Sequence, residues 1–327
     1  MKIGVIGIGG KTATMFAKEL MPVGEVFGIG KKEEIEKIEK KKLFIKRNQK
    51  EELVELSLIE ENEFPKETQF DFLFLCIKNP VFGAVKFYYQ KIKDKKFSPP
   101  ALFLSQNGLE AGEEAILALN EVFGEKAKEI PIFRISLFNP VEKKQDGGKT
   151  FILYSLPIRL AISQISGKEI KIREIFEKTK IEAFFVPQKD SKNMEYSKLF
   201  LNLIGMACAV EGLSIFEGFK KREILKKEVL ALREYIKAVK TNGGKFLNFP
   251  HYPVKLLSFL FQFPISFLFL ISPLLAFLIE KGRKGKPKDL DEIDYYNGAV
   301  VKLAEKVGLR VPVNEEILKK AKEKYVY

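Results

Sequence analysis

The sequence is poor in the residues that bind transition metals: its 327 residues include no tryptophan, one histidine and two cysteines. Histidine and cysteine are the main ligands of such metals, so we expect no metal site. Cys76 and Cys208 form no CxxC pair, which argues against a disulfide framework and a structural zinc site. His251 lies between two prolines in a loop pattern, and we assign it no catalytic role. Reduced cysteines are typical of a cytoplasmic protein.

The sequence also lacks a secretory leader pattern, because it opens directly on an apolar run at residues 2–6. The missing tryptophan and the many Lys, Glu and Ile residues favour a thermophilic source. The 56 Lys and Arg residues exceed the 43 Asp and Glu residues by 13. This balance suits nucleic acid, anionic lipid or a phosphate-rich cofactor, or it serves only to keep the surface soluble. No nucleic-acid-binding motif accompanies it, so we do not expect a nucleic-acid partner.

The first 189 residues predict an α/β domain with a doubly wound sheet, because strand and helix patterns alternate. The run at residues 70–78 is continuously apolar, as in a parallel strand covered on both faces. From residue 190 the apolar spacing is helical. We therefore predict a Rossmann domain over 1–189 and an all-helical domain over 190–327. The other predicted strands are 2–6, 25–29, 43–46, 53–59, 101–104, 132–138 and parts of 151–186; the predicted helices include 112–122, 191–218, 222–240 and 294–307.

A glycine turn joins the first strand to the first helix. Dinucleotide-binding folds place glycines there, because the chain must turn tightly and let a pyrophosphate approach the helix N-terminus. The third glycine of G-x-G-x-x-G is replaced by Thr12. That position serves helix–strand packing, so the change weakens the motif without excluding it. The residues of this turn predicted to bind the cofactor are Gly7, Ile8, Gly9 and Gly10.

The residues after the glycine turn and after the second strand indicate which nucleotide binds. Gly10-Lys11-Thr12 looks like the end of a P-loop, but the glycine needed five positions earlier is Val5. The second strand ends in Gly30-Lys31-Lys32, where an NAD site has an acidic residue. Cations there suit a 2′-phosphate, so Lys31 favours NADPH as the cofactor. The alternative is that these lysines only begin the charged stretch 31–42.

Three further motifs follow in order along the chain. The first is Ser-Gln-Asn-Gly-Leu at 105–109, and the second is Lys198-x-x-x-Asn202. The third begins with Glu-Ile-Asp at 292–294, continues with Asn-Gly at 297–298 and ends with Pro-x-Asn at 312–314. Together they resemble the ketopantoate reductase (2-dehydropantoate 2-reductase) family over nearly the whole chain.

This resemblance implies an NADPH-dependent oxidoreductase, acting on CH–OH, that reduces 2-dehydropantoate to pantoate in pantothenate and coenzyme A biosynthesis. It also implies a homodimer, and a helical domain that serves substrate binding and dimerisation. Lys198 and Glu292 would be catalytic, Asn107 and Asn202 would bind the keto acid, and Lys78 and Asn107 would lie near the cofactor. Chemistry supports the lysine, since a desolvated ammonium is a suitable general acid. Lys198 and Asn202 are four residues apart and share a helix face.

One departure from the family leaves the substrate open. The family often has a substrate-binding Ser about a dozen residues before the Glu, as the resemblance implies. Here the nearest candidate is Ser272, twenty residues before Glu292. A missing hydroxyl contact can change which keto acid fits. The alternative is a paralogous reductase of another small keto acid or imine.

Residues 256–279 form an uncharged stretch of 24 residues, long enough to span a bilayer. A basic stretch follows from Lys281. Pro264 and Pro273 favour shorter helices. A single span would separate Lys198 from Glu292, so we favour a core or subunit-interface location over lipid contact. The remaining alternative is a non-catalytic, membrane-associated NADP-binding protein.

Overall fold

The structure is a computed structural model that describes residues 1–47, 50–280 and 285–325. The chain divides into two compact units. The N-terminal unit comprises Met1–Gln106 and Glu110–Ser191. The C-terminal unit comprises Asn107–Leu109 and Lys192–Tyr327. The N-terminal unit therefore ends two residues beyond the boundary predicted after residue 189, and a short loop from its middle joins the other unit.

The N-terminal unit contains an eight-stranded sheet in the order β12-β11-β8-β7-β6-β1-β2-β5. All neighbouring strands pair in parallel except β11 with β8. A second sheet has the order β4-β3-β10-β9. The strands are β1 Lys2–Ile6, β2 Glu25–Gly30, β3 Leu43–Arg47, β4 Lys50–Leu53, β5 Ser57–Glu60, β6 Phe72–Leu75, β7 Ala101–Leu104, β8 Ile132–Leu137, β9 Glu142–Asp146, β10 Lys149–Tyr154, β11 Ile158–Ser166 and β12 Ile181–Phe185.

Apolar side chains cover both faces of the large sheet, as the unbroken apolar run at 70–78 predicted. On one face Phe103 stacks between Phe74 and Phe133, with ring centroids 4.4 and 4.7 Å apart. The opposite face packs leucines of β6 and β7 against two helices. The doubly wound fold class is confirmed. The helices of this unit are α1 Lys11–Leu20, α2 Lys32–Lys41, α3 Phe82–Asp94, α4 Ala111–Phe123 and α5 Arg173–Glu177.

The single strand predicted over 53–59 is wrong. The chain leaves β4 at Leu53 and enters β5 at Ser57. These strands belong to different sheets, because β4 pairs with β3 and β5 pairs with β2. The alternating pattern of the segment is real, but the chain must cross from one sheet to the other within it. The strand predicted over 70–78 is also shorter, at Phe72–Leu75.

The C-terminal unit is helical, as predicted. Its 20-residue helix α9 buries Leu225, Val229, Leu232 and Ile236, which recur at helical spacing. Glu234 of the same helix accepts bonds from the amides of Val313 and Asn314 and so caps the start of α13. The helices are α6 Ser191–Leu203, α7 Met206–Ala209, α8 Ile215–Phe219, α9 Arg222–Thr241, α10 Val254–Leu260, α11 Ile265–Glu280, α12 Asn297–Lys306 and α13 Pro312–Tyr325.

The apolar stretch 256–279 falls into two helices, α10 and α11, as its prolines predicted. In the described part of the chain, no helix is both long enough and apolar enough to cross a membrane. One side of α11 lies in the core, where Leu268 and Leu275 are buried. The other side is not part of this chain's core, since Leu270 is 76% exposed, so of the two expected locations only a subunit interface stays open for it. The basic residues 281–284 lie outside the described residues.

Candidate active site

The glycine turn at 7–10 has a backbone that only glycine adopts easily. Gly7 and Gly9 have φ near +90°. A Cβ at Gly9 would lie 2.9 Å from the Glu34 carboxylate, and one at Gly10 would lie 3.0 Å from the Gly7 carbonyl oxygen. The amides of Gly7 and Ile8 both donate to the Ile29 carbonyl, which ties the turn to β2. The positive φ therefore disfavours other residues at positions 7 and 9, and the Gly7 carbonyl oxygen crowds any side chain at position 10.

Helix α1 begins at Lys11 directly after this turn, and no side chain caps its first amides. Uncapped amides at a helix N-terminus bind anionic phosphate well. Thr12, at the position of the third glycine, is accommodated within α1. The turn and the helix end together fit the pyrophosphate of a dinucleotide.

One lysine contacts this turn directly, and other lysines follow strands of the N-terminal unit or line a cavity beside Gly9. Lys143 of β9 donates from its amine to the Gly9 carbonyl oxygen at 2.7 Å. Lys31 is exposed and immediately precedes α2, and Lys78 is exposed three residues beyond the end of β6. A cavity of about 210 Å³ opens between Gly9, α2 and β9, with Lys37 among the lysines that line it. Sequence reasoning missed Lys143, because 134 residues separate it from the glycine turn.

Asn107 lies at the centre of a polar network in the C-terminal unit. Its amide nitrogen donates to Glu292 Oε2 at 2.8 Å and to the Tyr296 hydroxyl at 3.1 Å. The Tyr296 hydroxyl donates in turn to the same Glu292 oxygen at 2.9 Å. Asn202 donates from its amide to Asn107 Oδ1 at 3.1 Å. Three of the residues predicted for the site thus meet, and they are joined by Tyr296, which the sequence analysis did not single out.

Gly108 makes this network possible. Its φ is +89°, and a Cβ there would lie 3.1 Å from the Cβ of Tyr295 and 3.2 Å from its carbonyl oxygen. Any other residue would be strained by this φ and would press on Tyr295, three residues after Glu292. The Asn-Gly pair of the motif is therefore explained by close packing as well as by chemistry.

The backbone just before Asn107 is fixed by a buried arginine of the N-terminal unit. The Arg134 guanidinium donates to the carbonyl oxygens of Gln106 and Leu104 at 3.0 and 3.4 Å. The Gln106 side chain donates to the carbonyl oxygens of Leu75 and Ile77. Both side chains are nearly inaccessible to solvent. They hold the end of β7 in one conformation, which defines where the following turn starts.

Helix α6 presents Lys198 one turn before Asn202, and both residues are half-buried. The spacing places them on the same helix face. Lys288 donates from its amine to the carbonyl oxygens of Leu201 and Asn202 at 3.2 and 2.7 Å. A cation is favourable at the carbonyl end of a helix, so Lys288 stabilises the turn that carries Asn202.

Ser272 and His251, which the sequence analysis also considered, lie in surroundings different from those of the Asn107 network. Ser272 is buried in α11, where its hydroxyl lies 2.8 Å from the Phe269 carbonyl oxygen and 3.1 Å from that of Phe219. These contacts account for its hydroxyl without a substrate, so the structure does not bring Ser272 to the Asn107 network. His251 lies in an exposed turn. Within the described ranges, no three His, Cys, Asp or Glu side chains are grouped to hold a metal.

The remaining signature residues have a structural role. Asn297 and Asn314 are buried, and the amide of Asn297 donates to Oδ1 of Asn314 at 2.9 Å. Asn314 donates in turn to the Ala231 carbonyl and to Glu234. These bonds join α9, α12 and α13. The C-terminal signature thus places one residue, Glu292, in the network and uses two others to hold the helices together.

Comparison with known proteins supports this interpretation. Residues 287–325 match the family model described as ketopantoate reductase PanE/ApbA C terminal. A ketopantoate reductase of the PanE/ApbA family from Ralstonia eutropha JMP134 has a similar structure, with a TM-score of 0.74, 14% identity, and coverage of 98% of this chain and 97% of that one. A 2-dehydropantoate 2-reductase from Methylococcus capsulatus gives a TM-score of 0.70 at 15% identity, covering 100% and 97%.

D-mandelate dehydrogenase, solved with NADH and anilino(oxo)acetate, gives a TM-score of 0.72 at 18% identity, covering 99% of this chain and 98% of that one. No curated protein matches the chain by sequence. At these identities the solved structures show the fold alone. The resemblance to the ketopantoate reductase family is thus confirmed by the family model over residues 287–325, and over the whole chain the solved structures share the fold.

Proposed function

We propose that this protein is an NADPH-dependent reductase of 2-keto acids, with 2-dehydropantoate as its substrate. The observation that carries the proposal is the network of Asn107, Glu292, Tyr296 and Asn202, which lies one helical turn along α6 from Lys198. It brings neutral amide donors and one carboxylate together on half-buried side chains. Such a set can hold a small molecule that carries a carboxylate, a ketone and a hydroxyl.

The reaction adds a hydride to the ketone carbon and a proton to the ketone oxygen, which gives a 2-hydroxy acid. The bound nicotinamide supplies the hydride. The protein must hold the keto acid and deliver the proton. We assign the proton to the Lys198 ammonium, since a partly desolvated lysine is a suitable general acid.

The network holds the substrate. The side-chain amide nitrogen of Asn202 carries two N–H groups, and one of them donates to Asn107. We assign the other to the substrate's carboxylate or ketone oxygen. Oε2 of Glu292 accepts both bonds from the network. We therefore assign Oε1 to the hydroxyl of the substrate, with the carboxylate balancing the charge of Lys198.

The cofactor binds to the glycine turn of the N-terminal unit. The uncapped start of α1 takes the pyrophosphate. Lys31 and Lys32, which follow β2 directly, at the place where an NAD site has an acidic residue, take the 2′-phosphate, and this selects NADPH over NADH. Lys143 adds a cation beside Gly9. Lys78 and Asn107 are assigned to the nicotinamide end.

The test is NADPH oxidation with 2-dehydropantoate by wild type, Lys198→Ala and Lys189→Ala. Lys189 is an exposed lysine just before α6 and serves as the matched control. We expect Lys198→Ala to lower kcat by about 10²- to 10⁴-fold, the range of a general acid, with NADPH binding retained. Wild type that binds NADPH but reduces no small 2-keto acid would refute the proposal.

A second substrate is favoured by one observation. The hydroxyl of Ser272 is occupied by backbone carbonyls, so the family's serine contact to substrate has no counterpart there. The fold is also similar to that of D-mandelate dehydrogenase. An aryl 2-keto acid, 2-oxo-2-phenylacetate, is therefore the second candidate. Comparing kcat/KM for the two keto acids, with NADPH and with NADH, decides between them.

A further inference from the structure

Helices α10 and α11 expose a face of large apolar side chains. The described residues include fourteen exposed large hydrophobic side chains, and eight of them fall within this short segment, so the exposure is concentrated. We call this set the α10–α11 apolar face. Soluble proteins rarely leave such a patch uncovered. Its members are Leu256, Phe259, Phe263, Phe267, Leu270, Leu274, Phe277 and Leu278.

The exposed side chains of the face follow the helical repeat and contact one another. On α11, residues 267, 270, 274, 277 and 278 recur at helical spacing and form one stripe along the helix. On α10 and the following turn, the ring of Phe263 contacts those of Phe259 and Phe267, with centroids 5.3 and 5.4 Å apart. The apolar side chains thus form a continuous surface.

The inner sides of both helices are firmly anchored, so the exposed side is fixed in place. Arg233 of α9 donates to the carbonyl oxygen of Phe261 at 2.9 Å. Glu280, at the end of α11, is buried and accepts a bond from the Phe216 amide at 2.7 Å. Leu268 and Phe261 are fully buried. Rotation of α11 to hide the stripe would break these contacts.

The charged residues of the sequence segment that carries the face are nearly all basic. Between residues 242 and 287 the sequence has six Lys and Arg residues and a single acid, Glu280. That acid points inward, as its bond to Phe216 shows. Lys255 and Lys286 are exposed. Lys220 of the neighbouring segment lies 3.8 Å over the half-exposed ring of Phe216.

The apolar face together with its basic flanks distinguishes between two partners, a second copy of the chain and a lipid bilayer. In a two-fold dimer through this face, the segment would pack against its own copy. Lysines would then face lysines, with no exposed acid of the segment to pair with them. The headgroups of an anionic bilayer supply the missing negative charge, and the acyl region accepts Leu and Phe side chains. We propose that the α10–α11 apolar face docks on the surface of an anionic lipid bilayer, with α11 lying in the plane of the interface.

The test is flotation of the full-length protein with vesicles of phosphatidylcholine alone and with vesicles in which about a third of the lipid is phosphatidylglycerol. We expect binding to the anionic vesicles only, and weaker binding as salt is raised. Lys255→Gln should weaken it about fivefold, since one lysine near such a surface contributes about that factor. Equal binding to both vesicle types, or none to either, would overturn the proposal.

Two matched variants separate lipid binding from self-association. Leu270→Ser with Leu274→Ser should lower vesicle binding at least about tenfold, because two apolar side chains no longer enter the bilayer. Leu117→Ser, on α4 and 59% exposed, should leave binding unchanged. All three substituted positions are exposed, and thermal melts verify that the variants are folded. A wild-type dimer that the Leu270/Leu274 variant converts to monomers, without vesicle binding, would show instead that a second copy covers the face.

Discussion

The Asn107 amide donates to Glu292 Oε2 over 2.8 Å, although 185 residues separate the two in sequence. Asn107 follows a strand of the N-terminal unit but belongs to the C-terminal unit by its contacts. A turn that extends from a Rossmann sheet thereby becomes part of the helical unit's polar network. The bond joins the first and third motifs of the family resemblance.

The first prediction concerns the carboxylate of that bond. In Glu292→Gln the amide oxygen can still accept from Asn107 and Tyr296 in the place of Oε2, but the charge is lost and an NH2 group replaces Oε1, the oxygen assigned to the substrate's hydroxyl. We expect kcat/KM for the keto acid to fall about 10²-fold or more, because the site loses the charge that balances Lys198 and the acceptor for the substrate's hydroxyl. Steady-state kinetics measures this, and Glu305→Gln, exposed on α12, is the control. Unchanged kcat/KM would show that Glu292 takes no part in catalysis.

A second prediction tests the residue that the sequence analysis missed. Tyr296→Phe keeps the ring but removes the hydroxyl that bridges Asn107 and Glu292. We expect about a tenfold loss of kcat/KM, the effect of about 1.4 kcal/mol from one hydrogen bond to a charged group. Tyr295→Phe, the adjacent tyrosine, is the matched comparison. An equal loss in both variants would attribute the effect to packing and not to the network.

Local patterns predicted much of the fold. The apolar runs and the glycine turn identified the doubly wound sheet, and helical spacing identified the C-terminal unit. The second sheet was not predicted, because its parallel pair joins Leu43 to Thr150, and a pairing at that separation leaves no periodic signal. The split of 53–59 between two sheets was hidden for the same reason.

The candidate site was predicted in part, for a similar reason. Asn107, Asn202 and Glu292 were found because each lies in a short motif with a recognisable spacing. Tyr296 is four residues from Glu292, a spacing that places two side chains near each other in helical turns, so this signal was present. Lys143 lies in no such motif. The exposure of the apolar stripe on α11 could not be predicted either, because the sequence of an apolar helix face is the same whether or not a partner covers it.

A third prediction concerns the cofactor. Lys143→Met removes the cation beside Gly9, where the pyrophosphate would bind, and leaves a side chain of similar length. We expect the Kd for NADPH to rise about tenfold, as for loss of one charge-assisted contact, with kcat largely kept. Lys144→Met is the control, since adjacent residues of a strand point to opposite faces. Isothermal titration of both variants measures the effect, and equal affinities would remove Lys143 from the cofactor site.

The last prediction follows from a buried carboxyl in the C-terminal unit. Glu228 is 1% exposed, and burial raises its pKa to about 7 from 4.5, although the amides of Gly205 and Ala207 and the charge of Lys288 oppose the rise. Between these pH values the folded protein binds more protons at this group than the unfolded chain does. The free energy of unfolding should therefore fall as pH rises from about 4.5 to 7.

Glu228→Gln should remove that contribution to the pH dependence, because the amide does not titrate. It should also lower stability at every pH by about 1–3 kcal/mol, since one carbonyl oxygen cannot accept from the amides of both Gly205 and Ala207. Urea unfolding at several pH values between 5 and 8 measures both effects. Glu223→Gln, exposed on the same helix, should keep the wild-type pH dependence. If the slope of Glu228→Gln matches wild type, the titrating group lies elsewhere.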